Sequence, residues 1–190
     1  MTLPLIVGIS GASGAPYAVR LLQVLQQLHI PAHLIISKSG ARTLQEESGV
    51  SVDEVRAMAT VNYSNNDLGA SVSSGSFKTR GMIVIPCSIR TLSDVAHGTT
   101  DSLLSRAADV VLKERRRLVL VVRETPLHHG HLRSMLAATE NGAIIMPPVA
   151  AFYHRPESVA DIIDQTVGRC LDLFEIDSGL VKPWLSPSGE

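Results

Sequence analysis

Cysteine, aromatic residues and net charge are all scarce in this chain. Only Cys87 and Cys170 occur among 190 residues, too few for a disulfide framework or a thiolate zinc site. Aromatic side chains make up 4% and the formal net charge is -1. The basic footprint that nucleic acid demands is absent, so no nucleic-acid partner is expected. The apolar run at residues 3–9 is strand-length and no Lys or Arg precedes Arg20, so neither a signal peptide nor a membrane span is expected. Internal repeats, low-complexity linkers and any D-D-x-x-D cluster are also missing. The cytosol is the expected compartment.

What is present is the composition of a packed enzyme-sized domain. Apolar residues make up 45% and charged residues 18% of the chain, and residues 1–190 are expected to form one domain. Short, near-continuous apolar runs predict strands at 3–9, 32–36, 81–85, 118–122 and 143–146, as in strands covered on both faces. Between them, Leu21, Leu22, Leu25 and Leu28 recur at helical spacing over 17–28. Helices are also predicted over 102–114, 132–139 and about 158–174, the last opened by Pro156 and Glu157. Residues 63–81 read as one long Gly/Ser-rich loop. The alternation predicts an α/β fold with a doubly wound parallel sheet.

The stretch "LIVGISGASGAP" at residues 5–16 reads as strand, glycine turn and helix start. Such a turn offers bare backbone N–H groups to an anion. Its glycines, Gly8, Gly11 and Gly14, spell G-x-x-G-x-x-G, not the dinucleotide fingerprint, and the lysine of a P-loop is missing. The second strand ends in Ser37 and Lys38 instead of the acid that a nicotinamide ribose requires. In a doubly wound sheet, ligands bind beyond the carboxyl ends of the strands. Those ends carry Ser10 to Ser13, then Ser37, then Ser88, Arg90 and Thr91, then Arg123 and Glu124, then Tyr153. Hydroxyls, helix starts and arginine together fit a phosphorylated ligand with a flat polar head. Helix capping explains any single Ser or Thr equally well.

Other features carry less. His128, His129 and His131 stand beside a helix start without acidic or thiolate partners, so a metal site is not expected. Arg115 to Arg117 read as a solvated face that complements a helix end, while Lys113 is free to aim inward. Cys87 reads as packing, and Asp161 with Asp164 as a surface pair.

The motifs "GISGASGAPYAVRLL", "SSGSF", "PCSIRTL", "RAADVVLKERRRLVLVVRETPL" and "PPVAAFYHRPES" closely resemble the flavin prenyltransferases, the UbiX-type proteins, nearly end to end as far as Trp184. The resemblance implies a Rossmann, flavodoxin-like fold and an enzyme with FMN in the glycine turn. It implies transfer of a dimethylallyl group from its monophosphate to N5 and C6 of reduced FMN, without a metal. The prenylated flavin would serve a separate UbiD-type decarboxylase, in ubiquinone synthesis or aromatic-acid decarboxylation. Homo-oligomers, commonly dodecamers with sites at subunit contacts, are implied as well.

Carried over residue by residue, the FMN contacts are Ser10, Gly11, Ala12, Ser13, Ser37, Ser88, Ile89, Arg90, Thr91 and Arg123. The dimethylallyl-phosphate contacts are Tyr153 and Arg169, supported by Lys113 and Arg106. Glu124 matches the acid beside the leaving phosphate, Glu47 a second acid of the pocket, and Ser13 a proton relay near N5. Ser13, Glu47, Lys113, Glu124 and Tyr153 are thus the expected catalytic set. The sequence departs from the family at Leu68, where some relatives carry Trp, and at Arg90. Fixed cations stabilise the charge that builds on a departing phosphate, and a carboxylic acid can protonate it. An FMN-dependent decarboxylase of cysteine-type or aromatic acids is the alternative enzyme. A non-catalytic flavin carrier would have no use for Lys113, Glu124, Tyr153 and Arg169.

Overall fold

A computed structural model describes residues 2–181 and Trp184; Met1 and residues 182, 183 and 185–190 of the expected domain lie outside the described residues. The strands are β1 (Leu5–Ile9), β2 (Ala32–Ile36), β3 (Val61–Ser64), β4 (Gly81–Cys87), β5 (Arg117–Val122) and β6 (Ile144–Ile145). They form one 6-stranded sheet in the order β3-β2-β1-β4-β5-β6, with every pairing parallel. The helices are α1 (Ala15–Gln27), α2 (Lys38–Glu47), α3 (Val52–Ala57), α4 (Ile89–His97), α5 (Leu103–Lys113), α6 (His129–Glu140) and α7 (Val159–Asp172). The doubly wound α/β architecture expected from the sequence is the one found.

Alternation along the strands builds two cores. Leu5, Val7 and Ile9 point to one face and pack with Leu21, Leu22 and Leu25 of α1, Leu44 of α2, Val55 of α3 and Val167 of α7. Ile6, Met82 and Val84 point to the other and meet Leu92 of α4, Leu104 and Ala108 of α5 and Ala138 of α6. Burial on both faces is why the strands read as unbroken apolar runs. Each fully buried leucine of α1 contributes roughly 1.5–3 kcal/mol relative to exposure. Because β1 lies between β2 and β4, the chain departs to opposite faces from its two central strands. That opens a crevice at their carboxyl ends.

Ser10 closes the seam at that point. Its hydroxyl donates to the Pro86 carbonyl at 2.9 Å and accepts the Ser88 N–H at 2.8 Å. Its own N–H also donates to Pro86 O.

The structure corrects the sequence reading in several places. The supposed loop 63–81 begins inside β3, makes a short 3-10 turn at Ser71–Ser73 and ends at the first residue of β4. α2 and α3 were not expected at all. β1 starts at Leu5 instead of residue 3, β4 runs on to Cys87, and β6 shrinks to Ile144–Ile145. α6 begins at His129 instead of residue 132, because His128 caps it by accepting the Gly130 N–H at 3.0 Å. Asp161 and Asp164, read as a surface pair, each also make a contact of their own. Asp161 accepts the N–H groups of Glu157 and Ser158 at the start of α7, while Asp164 is held by Arg20 across α1 and α7 at 2.5 Å. Arg116 is no solvated face: its guanidinium donates to the carbonyls of Phe77 and Gly75, each at 2.7 Å.

Candidate active site

A cavity of about 650 Å³ lies over the carboxyl ends of β1, β2, β4 and β5. Helix starts dominate its wall. Ser37 caps α2 by accepting the Gly40 N–H at 3.0 Å. Ser88 caps α4 by accepting the Thr91 N–H at 3.3 Å, and Ser102 caps α5 by accepting the Ser105 N–H at 3.3 Å. With three helix dipoles ending on one cavity, an anion is favoured there.

The glycine turn supplies the floor. At Gly11, a Cβ would fall 2.2 Å from the Cβ of Ser39, so only glycine lets the turn approach α2 this closely. Gly14 takes φ 119° before α1, a conformation L side chains rarely adopt. α1 has no side-chain cap of its own. Glu47, at the end of α2, provides one by accepting the N–H groups of Gly14 at 2.7 Å and Ala15 at 3.0 Å. Burial pushes the Glu47 carboxyl up. The bonds from Gly14, Ala15 and the Ser13 hydroxyl, with the charge of Arg123, outweigh that and hold it below its ordinary value. Glu47 therefore stands ionised beside the Ser13 hydroxyl.

Of the expected FMN contacts, Gly11, Ala12, Ser13 and Ser37 line the cavity, and so do Ser88, Ile89, Arg90, Thr91 and Arg123. Ser10 does not; at 1% exposure its hydroxyl is consumed by the β1–β4 seam. Arg90 reaches the rim with a side chain 88% exposed, 3.9 Å from Asp94. Glu124 lines the cavity next to Arg123, and its Oε1 accepts the Thr125 N–H at 3.1 Å. Cys87 is buried, and burial drives its thiol far up, as suits a packing residue and not a nucleophile.

The expected phosphate contacts separate into groups within one chain. Tyr153 lies in the segment after β6, where its hydroxyl accepts the Gln165 Nε2–H of α7 at 2.8 Å. Arg169 is one turn further along α7 and pairs with Asp172 at 2.7 Å. Arg106 pairs with Asp109 at 2.8 Å on α5. Lys113 pairs with Glu114 at the far end of that helix, about 15 Å of helix from the end that opens on the cavity. A single chain thus brings Arg123 and Glu124 to the cavity but not Lys113.

Sequence reasoning missed Asn65, Asp94, Asp101 and Ser102, all of which line the cavity. Asn65 holds the start of α5, its Oδ1 accepting the Leu104 N–H at 3.0 Å. Burial raises the Asp94 carboxyl; Arg90 opposes that shift and Asp101 adds to it. The position of Asn65 gave no signal in the sequence, because the strand it follows, β3 (Val61–Ser64), reads as polar loop.

Comparison with known proteins agrees with this architecture. The flavoprotein family model matches residues 2–171. The flavin prenyltransferase UbiX of Escherichia coli strain K12 is 62% identical over 173 residues, covering 90% of this chain and 92% of that protein. AnUbiX, crystallised with FMN and dimethylallyl pyrophosphate, superimposes with a TM-score of 0.96 at 48% identity, covering 98% of this chain and 99% of that one. A dodecameric FMN-dependent UbiX-like decarboxylase from Escherichia coli O157:H7 gives a TM-score of 0.94 at 46% identity, covering 97% of this chain and 100% of that one. The chain belongs to the flavoprotein family and, within it, to the UbiX-type flavin prenyltransferases.

Proposed function

We propose that this protein transfers a dimethylallyl group from dimethylallyl monophosphate to N5 and C6 of reduced FMN, without a metal. The observation that carries the reading is the strand-end cavity, where helix starts, a glycine turn and the Arg123–Glu124 pair converge. Its donor set fits FMN: N–H groups at the starts of α2 and α4 suit the phosphate, and the backbone of Gly11 and Ala12 lines the cavity beside them. AnUbiX, alike over nearly the whole chain, was crystallised with FMN and dimethylallyl pyrophosphate.

When bound, reduced FMN supplies the nucleophilic ring positions. The chain does the rest. Gly11, Ala12, Ser13, Ser37, Ser88, Ile89, Thr91 and Arg123 hold the flavin, with Arg90 at the rim. Ionised Glu47 accepts a bond from the Ser13 hydroxyl, so Ser13 can take a proton at N5 and pass it on. Arg123, Arg169, Lys113 and Arg106, with the Tyr153 hydroxyl, hold the donor's phosphate and stabilise the charge that builds as the allylic C–O bond breaks. Glu124 protonates the departing phosphate.

The distance of Lys113 from the cavity of its own chain supports a site completed by neighbouring copies in a homo-oligomer. The related Escherichia coli O157:H7 protein is dodecameric, and the same assembly is proposed here. The product is a prenylated flavin, passed on to a UbiD-type decarboxylase. No helix among the described residues is long and apolar enough to cross a membrane, and the proposed compartment is the cytosol.

The test is anaerobic. The purified protein is mixed with reduced FMN and dimethylallyl monophosphate, quenched, and its flavin weighed by mass spectrometry. The expected result is a flavin heavier by one five-carbon unit, formed without added metal. Unmodified flavin on a folded, FMN-loaded protein would overturn the reading in favour of an FMN-dependent decarboxylase.

A further inference from the structure

Gln165 sits in the middle of α7 and is 4% exposed, yet it does little for the fold. Its Nε2–H donates to the Tyr153 hydroxyl oxygen at 2.8 Å, and its Oε1 is buried without a hydrogen-bond partner among the described residues. An unpaired buried acceptor offsets what one neutral hydrogen bond contributes. Leucine or methionine of similar volume would serve the helix as well. The amide is therefore best explained by what it holds.

What it holds is one end of Tyr153. The tyrosine lies in an irregular segment after β6, and its ring is packed edge-on by His154 at 5.6 Å and by Trp184 at 5.4 Å between centroids. Those two contacts set the plane of the ring. The hydroxyl is set by Gln165, in a bond where the amide is the donor and the phenol oxygen accepts. The hydroxyl hydrogen is then free to point at a second acceptor. Had the Tyr153 proton gone to Oε1 instead, none would remain for a ligand. Arg169 follows on α7 at i+4, on the same side of the helix.

We infer that Gln165 is a positioning residue of the prenyl-donor site: its amide N–H fixes the Tyr153 oxygen so that the hydroxyl proton is presented to the donor's phosphate. This rests on the reading of Tyr153 as a phosphate contact.

The test is a double-mutant cycle on the full-length, FMN-loaded protein, with steady-state prenylation measured against dimethylallyl monophosphate. Gln165→Met is expected to keep FMN affinity and raise the donor KM roughly tenfold, with kcat changed less. Tyr153→Phe should do the same, and the double variant should be no worse than Tyr153→Phe alone. Gln165→Glu keeps the shape but can only accept, which captures the hydroxyl proton and adds a charge that repels phosphate. It should therefore raise the KM beyond the Met variant, and it decides the matter alone if Gln165→Met does not fold. If Tyr153→Phe leaves the donor KM unchanged, Tyr153 is no phosphate contact and the inference falls with that reading. If Tyr153→Phe is impaired while Gln165→Met and Gln165→Glu match the wild type, or the two losses multiply, only the inference falls.

Discussion

Glu47 caps a helix that is not its own. From the last turn of α2 its carboxylate accepts the Gly14 N–H at 2.7 Å, at the start of α1 where the chain has no side chain to offer. The same carboxylate takes a bond from Ser13 and lies within the field of Arg123. One side chain thereby ties the glycine turn to the neighbouring helix and keeps a base beside the residue proposed to relay a proton.

Replacing that carboxylate should cost stability and turnover in different ways. Glu47→Gln keeps the shape but loses the charge on the dipole of α1, and an exposed cap of this kind is worth about 0.5–1 kcal/mol after solvent screening. The Glu47 carboxyl is held below its ordinary value in the folded protein. Its contribution is therefore complete above the unfolded carboxyl's value and is lost as pH falls through the folded one. Thermal denaturation should show the wild type ahead at neutral pH, with the gap closing in acid. A gap that stays constant with pH would show that the charge is not what caps the helix.

The central sheet and its outer helices were legible because their apolar residues repeat with strand or helix period. β3 was not: as an edge strand it alternates half-buried Val61 and Tyr63 with exposed Asn62 and Ser64, which reads as polar loop. α2 hides for a related reason, burying only Gly40 and Leu44 in 10 residues. The site was legible as hydroxyls and helix starts, but roles were not. Ser10 and Ser13 look alike in "GISGASG", yet one is locked in the seam and the other faces the cavity. Only the pairing of β1 with β4 tells them apart.

That difference is measurable. Ser10→Ala removes the buried bond to the Pro86 carbonyl and leaves the half-buried Ser88 N–H without its acceptor, a loss of about 1–3 kcal/mol, and should lower the denaturation midpoint. Ser13→Ala should leave the midpoint within about 0.5 kcal/mol while reducing turnover of the FMN-loaded protein. Chemical denaturation beside single-turnover prenylation separates the two. A stable Ser10→Ala protein would mean that the seam does not depend on the hydroxyl.

Gly11→Ala tests the close approach of turn and helix. With a Cβ only 2.2 Å from that of Ser39, the first turn of α2 must move, and Ser37 and Lys38 move with it. The helix start proposed for the FMN phosphate is then displaced. Flavin fluorescence titration should show the FMN Kd raised roughly tenfold or more, in a protein that still unfolds cooperatively. An unchanged Kd would remove α2 from the flavin site.

Lys113 and Glu124 allow the shared site to be tested directly. In one chain Lys113 ends α5 just before β5 begins, at the amino ends of the strands and away from the cavity, while Glu124 lines the cavity itself. If neighbouring copies supply Lys113, a Lys113→Ala protein and a Glu124→Gln protein are each inactive, because every site in each assembly lacks one group. Dissociated and reassembled together, they form some sites that draw Lys113 from one variant and Glu124 from the other. With random mixing in equal amounts, about a quarter of such two-chain sites are intact, since each group is independently present half the time. Prenylation recovered to that fraction of the wild-type rate is the expected outcome. No recovery, in a mixture shown by native mass spectrometry to contain both chains in one assembly, would place both groups on the same copy and defeat the shared site.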